Sequence, residues 1–335
     1  MQRAWGSNFR SIEYLAPKMN LTQKIKKKLL GAVSVDAKYV LDIDAWYDNA
    51  LDSTLASMHR EHGFEVVIVS YVFFSRALEV FDDKVFKIID THDAFANRHR
   101  QYLARGETPA WFTTSEKGEG QAFDRADLVL AIQEKECAAF SKYTRTKVVS
   151  LGHITPISPL NGSSAVPNRL LFVASDNKIN VNGIRFFIEQ VLPLVQQKIP
   201  TVELALVGSI CKAIDDLPGV RKLGRVDDLR DAYATAELVV NPVLFNTGVS
   251  IKNLEALGFG KPLLTATVGT EGIESGSGHA FMVADTAQEF AARTIELLTD
   301  KSLNASLSSG ALRYVRKSNQ QISQVLQSVI SNKTP

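Results

Sequence analysis

The sequence has little of what marks several large classes of protein. It contains only two cysteines, Cys137 and Cys211, which lie far apart in the chain. This argues against a disulfide scaffold and a structural zinc site, and it indicates a reducing compartment. No apolar run approaches the ~20 residues that a membrane-spanning helix needs. With 20 glycines and 11 prolines in 335 residues, a collagen-like chain is excluded as well.

Charge of one sign is also missing over the chain as a whole. The formal net charge is +2, and 45% of the residues are hydrophobic, which is typical of a folded globular protein rather than a disordered one. The length predicts two domains. The balanced charge gives no indication of nucleic acid, and we expect no nucleic-acid partner. The amino terminus lacks the apolar core of a signal peptide, so we expect the protein in the cytoplasm.

What the sequence does contain is an alternation of short apolar runs with longer helical patterns. The runs are residues 64–71, 85–90, 126–132, 147–151, 170–175, 202–208, 237–242 and 261–267. Several are apolar at consecutive positions, as in parallel strands that helices cover on both faces. The pattern therefore predicts an α/β protein with two Rossmann-like domains facing each other across a cleft.

A segment rich in proline, glycine and serine, residues 157–168, falls near the middle of the chain and predicts a linker. We predict a first domain over 1–157, a linker over 158–168 and a second domain over 169–312. A carboxyl-terminal helix over 313–335 is expected to pack back on the first domain. Before residue 64 the pattern is poorer, with one candidate strand at 33–43 and an amphipathic helix at 46–59.

The most informative segment follows the strand that ends at Asn241. A loop with a glycine leads into a helix that carries Lys252 and, three residues later, Glu255. A helix start and a lysine suit a phosphate, and a carboxylate can accept bonds from the two hydroxyls of a ribose. The segment thus predicts a nucleotide site. The alternative is an i,i+3 ion pair between Lys252 and Glu255 on the surface of the helix.

This segment resembles the donor site of group 1 (family 4) glycosyltransferases, which have the two-domain GT-B architecture. Residues 246–262 read Asn-Thr-Gly-Val-Ser-Ile-Lys-Asn-Leu-Glu-Ala-Leu-Gly-Phe-Gly-Lys-Pro, and residues 269–273 read Gly-Thr-Glu-Gly-Ile. Further similarity lies at 172–175, 180–181, 191–193, 207–208, 224–229 and 234–240. The first half is similar at 89–93 and 126–133.

The resemblance implies a role for each matching residue. It assigns the ribose hydroxyls to Glu255 and the diphosphate to Lys252, with Gly248, Val249 and Ser250 holding the distal phosphate. The transferred sugar would lie near Asn246 and Thr247, and the base pocket near Arg225 and Val226. His92 would act as the catalytic residue of the first domain. The alternative for His92 is a strand-end histidine that caps its loop.

The implied activity is transfer of a hexose-type sugar from a nucleotide-diphosphate donor, with retention of configuration and in surface polysaccharide or glycoconjugate synthesis. We expect no cofactor and no metal, since a helix start and a lysine stabilise the leaving diphosphate. The acceptor would be a sugar or a lipid-linked glycan. The basic segment Lys24–Lys28 predicts a peripheral membrane contact, or alternatively a solvated helix face.

Two departures from the family leave other functions open. Thr247 stands where the family often has a second glutamate, and the glycine-rich loop near the amino terminus is absent. The first domain is therefore predicted to be shortened. A non-catalytic binding or assembly protein is the alternative function, and an epimerase of the same architecture ranks last.

Overall fold

The computed structural model describes residues 5–14, 34–109, 111–160, 165–245 and 248–331. The chain divides into two compact units, Met1–Ser150 and Leu151–Pro335. The predicted domain boundaries, including the carboxyl-terminal helix packed on the first domain, stay predictions.

The first unit is built on a four-stranded parallel sheet in the order β1-β2-β3-β4. Its strands are β1 (Val66–Ser70), β2 (Phe86–Asp90), β3 (Leu128–Ala131) and β4 (Lys147–Ser150). Its α-helices are α1 (Val35–Tyr39), α2 (Ala50–His62), α3 (Arg98–Leu103), α4 (Glu116–Phe123) and α5 (Glu134–Phe140), with a 3-10 helix at Val72–Val80. All four strands lie within apolar runs from which the sequence predicts strands.

Aromatic side chains dominate the core of the first unit. Phe95, Phe112, Phe123 and Phe140 are fully buried, and they pack with the 3-10 helix and the strands. Strand β3 is buried at all four positions, as expected for a strand covered on both faces.

The second unit is built on a six-stranded parallel sheet in the order β10-β9-β8-β5-β6-β7. Its strands are β5 (Arg169–Val173), β6 (Glu203–Val207), β7 (Val220–Gly224), β8 (Leu238–Asn241), β9 (Leu263–Thr265) and β10 (Met282–Val283). Its α-helices are α6 (Lys178–Phe186), α7 (Leu192–Gln196), α8 (Leu229–Thr235), α9 (Ile251–Gly258), α10 (Ala287–Thr299) and α11 (Lys301–Ser331). Two apolar clusters, one containing Leu170 and the other Leu171, share β5, so helices cover both faces of this sheet.

The segment that enters the second unit is tied to two of its helices. The amide of Ser158 donates to the carbonyl of Gly258, the last residue of α9, at 2.9 Å. A Cβ on Gly258 would lie 2.3 Å from the carbonyl oxygen of Pro156, so only glycine allows this approach. On α11, Asn319 exchanges two hydrogen bonds with the backbone of Thr155.

The structure corrects some local predictions. The candidate strand at 33–43 is wrong, because Val35–Tyr39 is a helix and turns follow it. The helix predicted over 183–199 is α6 and α7 joined by a π-helical turn at Phe187–Val191. The strands β7 and β10 lie at the two edges of the sheet and were not predicted, since two charged residues interrupt the apolar pattern of β7 and β10 has two residues.

Candidate functional site

The strand order of the second sheet creates one topological switch point, between β5 and β8. From β5 the chain continues to β6 and β7 on one side, and β8, β9 and β10 lie on the other. Ligands of open α/β sheets bind beyond the carboxyl ends of the strands at such a point. The loops after β5 and β8 therefore frame the candidate site of this unit.

Lys252 and Asn180 meet across this switch point. Lys252 lies in the first turn of α9, after β8, and its Nζ donates to Oδ1 of Asn180 on α6, after β5. The Nζ also lies 5.0 Å from the centre of the Phe172 ring. Burial lowers the pKa of Lys252 to about 8, because a buried ammonium loses its hydration. An anion at this position would restore favourable interactions to the charge.

Asn180 is itself held in place by its own loop. Its Nδ2 donates to the carbonyl of Ser175 at 3.1 Å, and the side chain of Asn177 caps the start of α6. The Oδ1 of Asn180 is thereby aimed at Lys252. The ammonium group of Lys252 is thus held in place by Asn180 before any ligand binds.

Glu255 lies one turn further along α9 and has a different partner. The hydroxyl of Tyr233 on α8 donates to Oε2 of Glu255 at 2.9 Å. Tyr233 is fully buried, and its ring is stacked on Phe259 with 4.5 Å between the ring centres. Burial raises the pKa of the Glu255 carboxyl, and the bond from Tyr233 opposes this shift. Glu255 is half-buried, and one of its carboxylate oxygens is hydrogen-bonded within the protein.

A buried polar cluster fixes the start of α9 against the sheet. The Nδ2 of Asn241, at the end of β8, donates to Oδ1 of Asn253 at 2.9 Å and to the hydroxyl of Ser250 at 3.1 Å. The Nδ2 of Asn253 in turn donates to Oγ1 of Thr265 at 3.0 Å and to the carbonyl of Gly269 at 2.8 Å. The ends of β8 and β9, the helix start and the 267–270 turn are therefore joined by side chains.

The helix start itself offers backbone donors. Ser250 is the N-cap of α9, yet its side chain makes no capping bond, and its hydroxyl accepts from Asn241 instead. The first N–H groups of a helix carry a partial positive charge and suit an anion. Beside them stand one buried ammonium and one half-buried carboxylate. This arrangement fits a diphosphate and a ribose, which are the two charged and hydroxyl-bearing parts of a nucleotide.

The other loops at this edge are close-packed. A Cβ on Gly208, after β6, would lie 2.2 Å from the carbonyl oxygen of Ala174, after β5, and Gly208 has φ +105. The Ser209 hydroxyl donates to Asp176 at 2.8 Å. Arg225 and Val226 follow β7, with Arg225 exposed and Val226 packed against the apolar cluster. Their predicted part in a base pocket stays a prediction.

The remaining predicted donor residues lie around the helix start. Gly248 and Val249 are half-buried and directly precede Ser250. Asn246 and Thr247 lie outside the described residues. The alternative of an ion pair between Lys252 and Glu255 is wrong, because Lys252 binds Asn180 and Glu255 binds Tyr233.

His92 lies in the first unit, beyond the carboxyl end of β2. Its Nε2 is 3.1 Å from Oδ2 of Asp90, and its ring is stacked on Tyr71 with centres 4.6 Å apart. Its φ is +58, a left-handed conformation that few non-glycine residues adopt. The neighbouring Asp93 pairs with Arg98 of α3, whose N-cap is Asn97.

The sequence alone assigned no role to the residues that hold the site together, although Asn180 lies in a stretch that resembles the family. Asn180, Tyr233, Asn241 and Asn253 are polar side chains in otherwise apolar or helical segments. A buried polar residue in an apolar run is a usable signal for Asn241, which ends the run 237–242. The partners of the other three residues are set by tertiary structure.

A family comparison agrees with this geometry. Residues 167–300 match the family model "Glycosyl transferases group 1". This segment contains Asn180, Tyr233, Lys252 and Glu255. The family resemblance predicted from the sequence is thereby confirmed for this segment.

Solved glycosyltransferases share the fold of the chain. TarM of S. aureus superposes with a TM-score of 0.66 at 12% identity over 84% of this chain. The chain spans 57% of the length of TarM. The sucrose-phosphate synthase of Thermosynechococcus elongatus gives 0.64 at 15% identity, covering 84% of this chain and 78% of its own.

Anabaena HepE, solved with UDP and glucose, gives a TM-score of 0.57 at 20% identity, covering 83% of this chain and 81% of its own. These likenesses confirm the predicted fold class, with parallel sheets flanked by helices. No curated protein matches the sequence.

Two predictions concern the membrane. Within the described ranges, no helix is long and apolar enough to cross a bilayer. The Lys24–Lys28 segment lies outside the described residues, as does most of the region that would complete the first domain. Peripheral membrane contact, cytoplasmic location and a shortened first domain stay predictions.

Proposed function

We propose that the protein transfers a hexose-type sugar from a nucleotide-diphosphate donor to an acceptor hydroxyl, as a step in surface polysaccharide or glycoconjugate synthesis. The observation that carries this proposal is the meeting of Lys252 and Asn180 at the switch point of the second sheet. The position of the site, the buried charge and the family model support the same donor class. HepE, which has the same fold, was solved with UDP, so uracil is the base that we propose.

Each group at the site has a task in this reaction. The bond from the anomeric carbon to the diphosphate breaks, and a bond from that carbon to the acceptor oxygen forms. The acceptor's proton leaves with the diphosphate, so no further reactant is needed. Lys252 and the start of α9 would bind the diphosphate and stabilise the charge that it gains on leaving. Glu255 would hold the ribose through the oxygen that Tyr233 leaves available.

These groups supply the charge stabilisation of the leaving group without a metal, and we propose a metal-independent, retaining reaction. In the first unit, we assign the catalytic role to His92, whose ring is oriented by Asp90 and Tyr71. A histidine held at both its nitrogen and its ring face loses little conformational freedom in the reaction. The acceptor proposed is a sugar or a lipid-linked glycan.

Thermal shift with UDP, GDP and dTDP and their hexoses tests the donor site directly. A nucleotide present at 100 times its Kd stabilises a protein by about 2.7 kcal/mol. We expect the nucleotides of one base to raise the melting temperature of the wild type. The same nucleotides should not raise the melting temperature of Lys252→Met or Glu255→Gln. Lys198→Met and Glu189→Gln are matched controls, because both residues are exposed in the same unit and distant in sequence from α9.

Turnover is measured as release of the nucleoside diphosphate from the stabilising donor. We expect release in the wild type and its loss in the two site variants, with the controls unaffected. Equal stabilisation of the site variants and the controls by every nucleotide would refute the donor site. Nucleotide binding without any hydrolysis or transfer would favour the non-catalytic alternative.

A further inference from the structure

The first unit presents an aromatic surface that the donor site does not use. Trp111 is 52% exposed, although Phe95 and Phe112 beside it are fully buried. An indole leaves a large apolar area in water when it is exposed, and this is unfavourable for folding. Nothing in the core of the unit requires a tryptophan at the surface of this cluster.

The backbone conformation of three residues at this surface is energetically unfavourable as well. Trp111 has φ +69, Tyr71 has φ +70 and His92 has φ +58. Bulky side chains rarely adopt this left-handed conformation, and such residues persist where function requires their geometry. Three of them form one continuous group of rings, because Tyr71 lies 5.7 Å from Trp111 and 4.6 Å from His92.

The indole of Trp111 is held rigidly. Phe95 contacts it edge to face at 5.5 Å, and the guanidinium of Arg98 lies 5.6 Å from its ring centre. Arg98 is buried and paired with Asp93, so moving it away from Trp111 would cost free energy. The exposed part of Trp111 is therefore a preformed binding surface rather than a mobile side chain.

The groups around the rings indicate what this surface binds. Asp90 and His92 lie beside Tyr71 at the carboxyl end of the sheet, where ligands of parallel sheets bind. A carboxylate accepts from hydroxyl groups and repels phosphates, which disfavours a nucleotide or an anionic headgroup here. A pyranose ring has both an apolar C–H face for an aromatic ring and hydroxyls for a carboxylate and an imidazole.

We propose that Trp111 binds the apolar face of a pyranose ring, with one of its hydroxyls directed to His92 and Asp90. The Tyr71 ring is stacked against Phe73 and His92 and stands edge-on to Trp111, so it orients these groups rather than binding the sugar face. This inference rests on the proposed function in identifying that sugar as the terminal ring of the acceptor. It narrows the acceptor class to glycans and makes Trp111 the residue that selects them. The sugar of the donor is bound separately, by the second unit.

Saturation-transfer NMR with methyl pyranosides of glucose, galactose, mannose and N-acetylglucosamine tests the proposal on the whole chain. We expect at least one of them to bind the wild type and to bind Trp111→Gly at least tenfold more weakly. Glycine suits the positive φ, so this variant folds without strain. Trp111→Phe keeps an aromatic ring and should bind with intermediate affinity. Trp5→Gly removes another exposed indole, 64% exposed, and should bind like the wild type.

Two further measurements separate this proposal from the others. Stabilisation by UDP should be the same in Trp111→Gly and the wild type, so a failure of the donor site is seen independently. The proposal is overturned if no pyranoside binds the wild type, or if Trp111→Gly binds as tightly as Trp5→Gly. It is also overturned if Trp111→Gly loses binding to phosphatidylglycerol vesicles while pyranoside binding is unchanged, since the surface would then contact a membrane.

Discussion

The phenol of Tyr233 donates a 2.9 Å hydrogen bond to Oε2 of Glu255 from a position that water does not reach. The ring is fixed by its stacking on Phe259. One oxygen of the carboxylate is thus set by the protein, and the orientation of the other follows from it. A half-buried carboxylate oriented in this way is prepared to receive two neighbouring hydroxyls.

Tyr233→Phe removes this orientation and keeps the stacked ring. A hydrogen bond to a charged group contributes about 1.5–3 kcal/mol, so we expect affinity for UDP to fall by roughly tenfold or more. Isothermal titration calorimetry with UDP measures the change. Tyr314→Phe, in the same unit and half-buried, is the control and should bind UDP like the wild type. Unchanged affinity in Tyr233→Phe would show that the bond has no part in binding.

The pKa of Lys252 predicts how nucleotide binding depends on pH. Burial lowers this pKa to about 8, so the ammonium is lost as the pH rises through that value. We expect affinity for UDP to fall between pH 7 and pH 9, by up to about tenfold per pH unit above 8. In Lys252→Met the affinity should be lower at pH 7 and the fall absent. A fall of the same size in both proteins would contradict the assignment.

The same pKa has a consequence for stability without a ligand. The native state holds fewer protons on Lys252 than the unfolded chain between about pH 8 and the ordinary lysine value near 10.5. The free energy of unfolding therefore rises with pH in this window through Lys252. Denaturation of the wild type and Lys252→Met at pH 8 and pH 10 should show a larger rise in the wild type, since burial also lowers the pKa of Lys261, which is present in both proteins.

The buried cluster around Asn253 predicts a large effect of one substitution. Asn253 is fully buried and donates to Thr265 and Gly269, and it accepts from Asn241. Asn253→Leu removes these three bonds, and each buried group that is left without a partner costs about 1–3 kcal/mol. We expect the second unit to lose roughly 3 kcal/mol in free energy of unfolding, measured by urea denaturation. Gln288→Ala, exposed on α10, should change little. A loss no larger than in that control would contradict the importance of the cluster.

A buried carboxyl in the first unit predicts a pH dependence of the opposite sign. Burial, together with the smaller effect of the negative charges of Asp93 and Glu119, raises the pKa of Glu136 to about 7. The native state holds more protons than the unfolded chain between about pH 4.5 and 7, so the free energy of unfolding falls as the pH rises there.

Glu136→Gln removes this contribution and keeps the shape of the side chain. We expect the variant to be more stable than the wild type at pH 8, by about 1–3 kcal/mol, and of similar stability at pH 5. Denaturation at both pH values measures the difference. Glu134→Gln, exposed on the same helix, should have no such effect. An equal gain at both pH values would mean that titration of Glu136 is not the cause.

The conformation of His92 predicts that stability and activity change in opposite directions. Asparagine tolerates φ +58 better than histidine, and left-handed strain costs about 1 kcal/mol. We therefore expect His92→Asn to raise the melting temperature and to lower kcat, with the affinity for UDP unchanged. His279→Asn is the control, since His279 is exposed and has no positive φ. An active His92→Asn would exclude a catalytic role for this residue.

The sequence predicts the strands of both sheets where apolar residues follow one another. It also predicts the helix of Lys252 and Glu255, because the glycine, the lysine and the glutamate lie within eight residues of one another. It does not predict that Asn180, 72 residues earlier, binds Lys252, since that contact depends on which strands become neighbours. The positive φ of Trp111 and His92 is equally hidden, because neither residue type is typical of that conformation.

The contact of Gly258 with Pro156 determines where a fragment that contains the whole second unit must begin. Residues 155–158 are hydrogen-bonded to α9 and α11, so they belong to the second unit and are not a flexible linker. A recombinant fragment that starts at Leu151 keeps these hydrogen bonds and should fold and bind UDP by itself. A fragment that starts at Asn168 exposes the end of α9 at Gly258 and the side chain of Asn319 within α11, and it should be less suitable for crystallography and for ligand screening.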